Sequence, residues 1–274
     1  LFRNSSGYNN TANGSDALYN NTSGYNNTAN GYGALYSNTI GETNTAIGNK
    51  ALYFNTTGHS NTASGHYALY HNAEGSYNTA SGYYVLVNNT TGGQNTASGN
   101  YALDNNSTGS FNTTSGVYSL SNNTTGDSNT ASGWRALNSN ITGSYNTGIG
   151  FYADVSSGGL TNATAIGFFA KVSASNAVRI GNTAVTHIGG QVGFSNDSDL
   201  REKKDIQDLG YGLGFIKQLR PVQFRMKNGN DRIDFGFIAQ DIEAVLGAEY
   251  NVLGIGGDSD RTLSLRYTDF IAPM

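Results

Sequence analysis

The chain has 274 residues, of which 12% are charged and 37 are glycine, a composition far from that of an ordinary globular domain. There is no cysteine, which removes disulfides and thiolate metal ligands as braces, and a net charge of −4 argues against nucleic acid, whose binding needs a basic field. No apolar run of about 18 residues and no leader pattern occurs, so no membrane insertion by this segment is expected.

The charge is unevenly placed. Residues 1–194 hold 11 acidic and basic side chains, whereas residues 195–274 hold 23. This split predicts two regions, a repetitive one over 1–194 and a globular one over 195–274.

The first region repeats every 17 residues. The motif NTAxG places threonine at Thr11, Thr28, Thr45 and onward to Thr164, and its closing glycine runs from Gly14 to Gly167 with the same step. A leucine column runs from Leu18 to Leu137, and a second glycine column from Gly24 to Gly143. Each unit reads as two short extended segments, TAxG and ALY, separated by Asn, Gly and Ser turns that permit positive φ. Such units stack as coils of a parallel β-solenoid about 4.8 Å apart, so ten coils span on the order of 48 Å. The opening asparagines, from Asn10 through Asn78 to Asn146, are expected to stack as an amide ladder. One large aliphatic column per coil offers little apolar area against the cost of ordering 17 residues, which predicts several chains around a common axis, most simply three.

These units, especially NTAIG at 44–48 and NATAIG at 162–167, resemble the head repeats of trimeric autotransporter adhesins and similar repeats in phage tail fibres. The resemblance implies a trimeric left-handed parallel β-roll over roughly residues 8–194. It also implies an extracellular place on a virion tail or bacterial surface, and a cell-surface glycan or protein as receptor. The opening LFRNSSGYNN lies mid-repeat, so the parent protein is expected to extend ahead of residue 1. After Gly167 the spacing shortens, with AVRIG ending at Gly181 and VTHIGG at Gly190, and 168–194 reads as an irregular taper.

From Asp205 the pattern becomes mixed α/β. YGLGFIKQL has helical spacing, with Leu213, Ile216 and Leu219 on one side; Pro221 ends it, and VQFRM alternates as a strand. NGND at 228–231 is a hairpin signal before RIDFGFIAQ, QDIEAVLG reads as a helix closed by Gly247, GIGGDSD as a loop and RTLSLRY as a strand.

Four ordered motifs, SDLREKKDI at 198–206, RPVQFR at 220–225, GFIAQDIE at 236–243 and Tyr267 before TDFIAPM, resemble the intramolecular chaperone at the C-terminus of phage endosialidases and tail fibres. That resemblance implies a domain that drives trimer assembly and then cuts itself off in a single turnover. It implies Ser198 as nucleophile, Lys203 as general base and Asp197 to Ser198 as the scissile bond. It also implies a long helix after Tyr267, which the chain does not reach. The chemistry needs a lysine neutral near pH 7, far below its reference pKa of about 10.4. Arg201 and Lys204 favour that shift, while Glu202 and Asp205 oppose it.

Other features point to chemistry less directly. GYGLGF at 210–215 is not GxGxxG and follows no apolar strand, so it reads as a helix entry. Asp258 and Asp260 lack the spaced carboxylates of a calcium loop, and His59, His66 and His71 fall in variable columns, so no metal and no cofactor are expected. The column Tyr67, Tyr84, Tyr101, Tyr118 and Tyr152, beside Trp134, suits either a receptor-contacting stripe or a structural ring ladder. The acids of the repeats are single in their coils, unlike the paired carboxylates of glycoside hydrolysis. The sequence thus predicts a mainly β fold: a trimeric parallel β-solenoid of 17-residue repeats followed by a small α/β chaperone domain. A polysaccharide-degrading fragment and a bare shaft with recognition elsewhere are the alternatives.

Overall fold

The computed structural model describes residues 2–186, 188–189, 201, 203–208, 210, 212–227, 232–255 and 261–270. The chain divides into two compact units, Leu1–Asn182 and Thr183–Met274.

The first unit is a parallel β-solenoid. Each regular coil contributes one three-residue strand, from β1 (Thr11–Asn13) and β2 (Thr28–Asn30) through β8 (Thr130–Ser132) to β9 (Thr147–Ile149). They pair in parallel at a 17-residue offset, Thr28 opposite Thr45 and Thr62 opposite Thr79. The sheet continues through β11 (Ala163–Ile166) to β13 (Ala177–Ile180), eleven strands in all. Ala163 faces Ala177 there, a 14-residue step that accounts for the shortened spacing after Gly167. Short strands β10 (Asp154–Val155) and β12 (Lys171–Val172) pair beside it.

The local chemistry explains the motif. Threonine, β-branched, favours extended backbone, and the alanine after it packs inward at positions such as Ala29 and Ala63. The closing glycine has positive φ in every coil, and a Cβ on Gly14 would lie 2.6 Å from the Gly31 carbonyl oxygen. Only glycine fits both demands.

The ALY segment, expected to be extended, is instead a turn, and its leucine is left-handed at φ near 52° in each coil from Leu18 to Leu137. That conformation costs about 1–2 kcal/mol per residue. It swings the leucine into the interior while its N–H reaches the next coil, as from Leu18 to the Ala34 carbonyl at 3.0 Å.

The leucine row is fully buried inside a single chain, with Leu18, Leu35, Leu52, Leu69, Leu86, Leu103, Leu120 and Leu137 all at 0% exposure. This overturns the argument that the coils must borrow interior from sister chains. The physical reason is that alanine and glycine make the coil so narrow that one leucine fills its apolar half. The other half is filled by hydrogen-bonded amides.

Two asparagine columns do this. In the expected one, Asn10 Oδ1 accepts the Asn27 backbone N–H at 2.9 Å, and Asn27 Nδ2 donates to the Gly41 carbonyl at 2.8 Å. In the second, Asn38 Nδ2 donates to Asn21 Oδ1 at 2.8 Å and to the same Gly41 carbonyl at 2.9 Å. The pattern recurs along the solenoid, and the asparagines from Asn21 to Asn146 in both columns are wholly buried. Each buried amide is satisfied, which is what makes a polar interior tolerable.

The leucine column ends at Asp154, buried and bound by the Ser139 hydroxyl at 2.7 Å and the Ser139 N–H at 3.0 Å. Val155 and Val172 take over the core beyond it.

In the second unit α1 (Leu213–Ile216) is a single turn. Phe215 and Leu219 are buried there, while Leu213, expected on the packed side, is exposed. Strand β14 (Val222–Phe224) pairs antiparallel with β15 (Asp234–Gly236), as the hairpin signal implied, though 228–231 itself lies outside the described residues. Helix α2 (Ala239–Leu246) ends at Gly247, φ 83°. Strand β16 (Leu253–Ile255), not expected from the sequence, pairs antiparallel with β17 (Leu263–Leu265), and Tyr267–Phe270 forms a 3-10 turn. Phe215, Leu219, Ile242, Val252, Leu253 and Phe270 make the core.

Candidate functional site

The tyrosine column is real, and most of its rings are engaged within the chain. Tyr67 and Tyr84 stack at 5.0 Å, as do Tyr101 and Tyr118. Tyr84 and Tyr101 sit tilted at 5.6 Å. The 17-residue register puts Arg135, not Trp134, next in this column. Its guanidinium lies 5.5 Å from the Tyr118 ring centroid, 5.9 Å from Tyr152 and 4.6 Å from Trp134. Trp134 belongs to the adjoining column and stacks on Phe151 at 4.6 Å. Lys50 opens the tyrosine column, its Nζ 5.5 Å from the centroids of both Tyr53 and Tyr67. A hydrogen bond to the Tyr67 hydroxyl at 3.3 Å raises the Lys50 pKa.

A second column, Tyr19, Tyr36, Tyr53 and Tyr70, stacks at 4.8–5.3 Å and touches the first through Tyr67 and Tyr70 at 4.6 Å. The 17-residue spacing of Tyr19, Tyr36, Tyr53 and Tyr70 is the signal by which the sequence encodes this column. It breaks at Val87, and the next coil places Asp104 there, one oxygen of which is buried without a hydrogen-bond partner; burial pushes its pKa up to about 6. His66 stacks on Tyr83 at 5.2 Å, His71 on Phe54 at 5.4 Å, and His59 meets Tyr77 edge-on at 4.9 Å. Among the described residues no three side chains are grouped as metal ligands, and no helix is long and apolar enough to cross a membrane.

In the second unit three of the four sequence motifs converge. Arg220 of RPVQFR pairs with Asp241 of GFIAQDIE through Nε at 3.0 Å and Nη2 at 2.6 Å. The Tyr267 hydroxyl accepts the Phe237 N–H at 3.1 Å. A Cβ on Gly236 would collide with that hydroxyl, so glycine is required in GFIAQD. Arg261 pairs with Glu243, which holds the Glu243 carboxyl below its ordinary range. Such exposed pairs are screened by solvent, so they orient the motifs more than they stabilise them. Phe224, Phe237, Gln240, Leu263, Leu265 and Tyr267 line an open cleft of about 260 Å³.

Residues 198–250 match the family model for the chaperone of endosialidase. The matched stretch opens at Ser198 and includes Lys203, Arg220, Phe237 and Asp241. No curated protein and no solved structure matches the chain. A solenoid of about ten coils joined in one chain to a chaperone-of-endosialidase region is a tail-fibre-like organisation. Of the residues assigned to self-cleavage, Asp197 and Ser198 lie outside the described residues, and Lys203 is exposed.

Proposed function

We propose that the chain is an adhesive segment of a trimeric fibre, carried on a phage tail or a bacterial surface. Its chaperone region drives assembly and then releases itself: the Ser198 hydroxyl gives its proton to Lys203 and attacks the Asp197 carbonyl carbon, the Asp197–Ser198 amide bond breaks with the proton returned to the Ser198 nitrogen, and water hydrolyses the resulting ester to leave a chain ending at Asp197. The observation that carries this reading is the succession, in one chain, of a 17-residue solenoid and a chaperone match that begins at Ser198. The self-contained leucine core removes one argument for a trimer and leaves the chaperone as the other, since a coil that fills its own interior still needs a guide to align with its sisters. On this reading the aromatic stripe Tyr67, Tyr84, Tyr101, Tyr118, Trp134 and Tyr152 lies on the face that meets a cell-surface glycan or protein.

Intact mass of the wild type beside Ser198→Ala and Lys203→Ala tests the cleavage. The expected result is a product ending at Asp197 in the wild type alone, sedimenting as a trimer. A wild-type chain that stays whole, or a product that sediments as a monomer at every concentration, refutes the respective half.

A further inference from the structure

The stripe singled out by sequence has rings that stack on one another, yet a different column holds rings that do not. Tyr77, Phe111 and Tyr145 stand 34 residues apart, two coils, and are 57%, 57% and 67% exposed. Phe111 and Tyr145 make no ring contact among the described residues, and Tyr77 meets only His59, edge-on. Gln94 and Ser128 fill the coils between them, also in left-handed backbone.

Next to this column lies the outer face of the sheet. In each coil one buried asparagine separates the column from the strand threonine, as Asn78 separates Tyr77 from Thr79. From Thr62 to Thr130 and from Ser64 to Ser132, five successive strands turn a threonine and a serine outward. None of these ten hydroxyls has a hydrogen-bond partner within the described chain. In one turn column the hydroxyls are engaged: Thr39 Oγ1 donates to the Thr56 carbonyl at 2.9 Å and Thr56 Oγ1 to the Ala73 carbonyl at 2.9 Å. Sheet propensity explains outward threonine but not five successive serines, which form strands less readily.

The face thus combines free rings and free hydroxyls at about 4.8 Å along the axis and about 6.7 Å across it, with Asp127, whose carboxylate accepts the Ser110 N–H at 2.7 Å, as a charge at the edge of the ring column. A second copy of this chain is a poor occupant, because the cores of homo-oligomer interfaces are about 65% apolar and the sheet between Ile47 and Ile149 turns no apolar side chain outward. The outward strand positions, all threonine and serine, complement an uncharged, polyhydroxylated ligand. The rings recur every two coils, on the order of 10 Å, the span of an extended disaccharide, and aromatic faces pack on sugar rings. We propose that this face, with Tyr77, Phe111 and Tyr145 as stacking platforms and the Thr79, Thr96 and Thr113 hydroxyls as partners, binds a neutral linear polysaccharide running along the solenoid axis. The proposal rests on the adhesive reading above and adds this track to the stacked tyrosine stripe as a second contact.

The test is retention of the full chain on cellulose, chitin, amylose and β-1,3-glucan, with polysialic acid as an anionic comparison, at low and high salt. Thr79→Val/Thr96→Val/Thr113→Val keeps β-branching and volume, and Phe111→Ala removes one platform. The expected result is binding to at least one neutral polymer, insensitive to salt, weakened at least about tenfold by either variant and unchanged by the exposed Asn88→Ala. Loss with Tyr84→Ala but not with the valine triple would overturn the track while leaving adhesion by the stripe intact. Salt-sensitive binding to polysialic acid alone would overturn the neutral ligand, and a valine triple that lost its oligomeric state would make the face an interface. No binding to any polymer by a correctly assembled wild type would overturn this proposal and glycan adhesion together.

Discussion

Replacing Asn72 with alanine tests whether the amide half of the interior bears the fold. Asn72 is wholly buried; its Nδ2 donates to Asn55 Oδ1 at 2.9 Å and to the Gly75 carbonyl at 2.7 Å, and its Oδ1 accepts from Asn89 Nδ2 at 2.7 Å. Alanine removes these three bonds and the longer one from Asn78 Nδ2 to Asn72 Oδ1 at 3.4 Å, but the damage to the partners differs. The Gly75 carbonyl keeps Asn61 Nδ2 at 2.8 Å, and Asn89 keeps the Gly92 carbonyl at 2.8 Å. Asn55 Oδ1 is left without a donor. The three shorter bonds at about 0.5–1.5 kcal/mol each, with about 1–3 kcal/mol for the orphaned acceptor, give a loss of about 2.5–7.5 kcal/mol. Urea unfolding of Asn72→Ala beside the exposed Asn88→Ala measures it. Amide exchange should show the loss centred on the coils that hold Asn55, Asn72 and Asn89, because stacked repeats couple through their neighbours. A loss below about 1 kcal/mol, or one equal to that of Asn88→Ala, would refute the claim that the ladder is a structural interior.

Leu69→Ala should cost about 3–5 kcal/mol by emptying a site the chain fills by itself, and the loss in urea unfolding should not depend on protein concentration; a concentration-dependent loss would mean that partner chains close the core. Asp104 has a folded-state pKa raised to about 6 from 3.8, so its contribution to stability is complete below about pH 3.8 and is lost as pH rises through 6. Full burial of the charge would cost about 3 kcal/mol, and partial access of solvent reduces this to about 1 kcal/mol. Asp104→Asn should therefore flatten the stability profile between pH 4 and pH 7, and an unchanged profile would count against the burial. Tyr267→Phe should destabilise the second unit by about 1–2 kcal/mol through loss of the acceptor for the Phe237 N–H, visible as faster exchange of that amide; no change there would show that the hydroxyl does not hold the GFIAQD segment.

The coil period, the strand at TAx, the glycine at each corner and the asparagine opening each motif were all legible in the sequence, because stacking a coil on its copy puts identical residues in contact and each contact leaves a column. The chaperone motifs were legible for a related reason: Arg220, Asp241, Gly236 and Tyr267 meet through side-chain geometry that admits few other residues. The tertiary structure decided what a column cannot encode, namely which side of the coil it occupies. Leucine at ALY went inward through a left-handed backbone that no propensity scale favours, held by the N–H it gives to the next coil. That choice sealed the interior within one chain and engaged the tyrosines of the predicted stripe with one another. It left Phe111, Tyr145 and the strand hydroxyls facing solvent, because burial depends on the path of the whole coil and not on the identity of the residue.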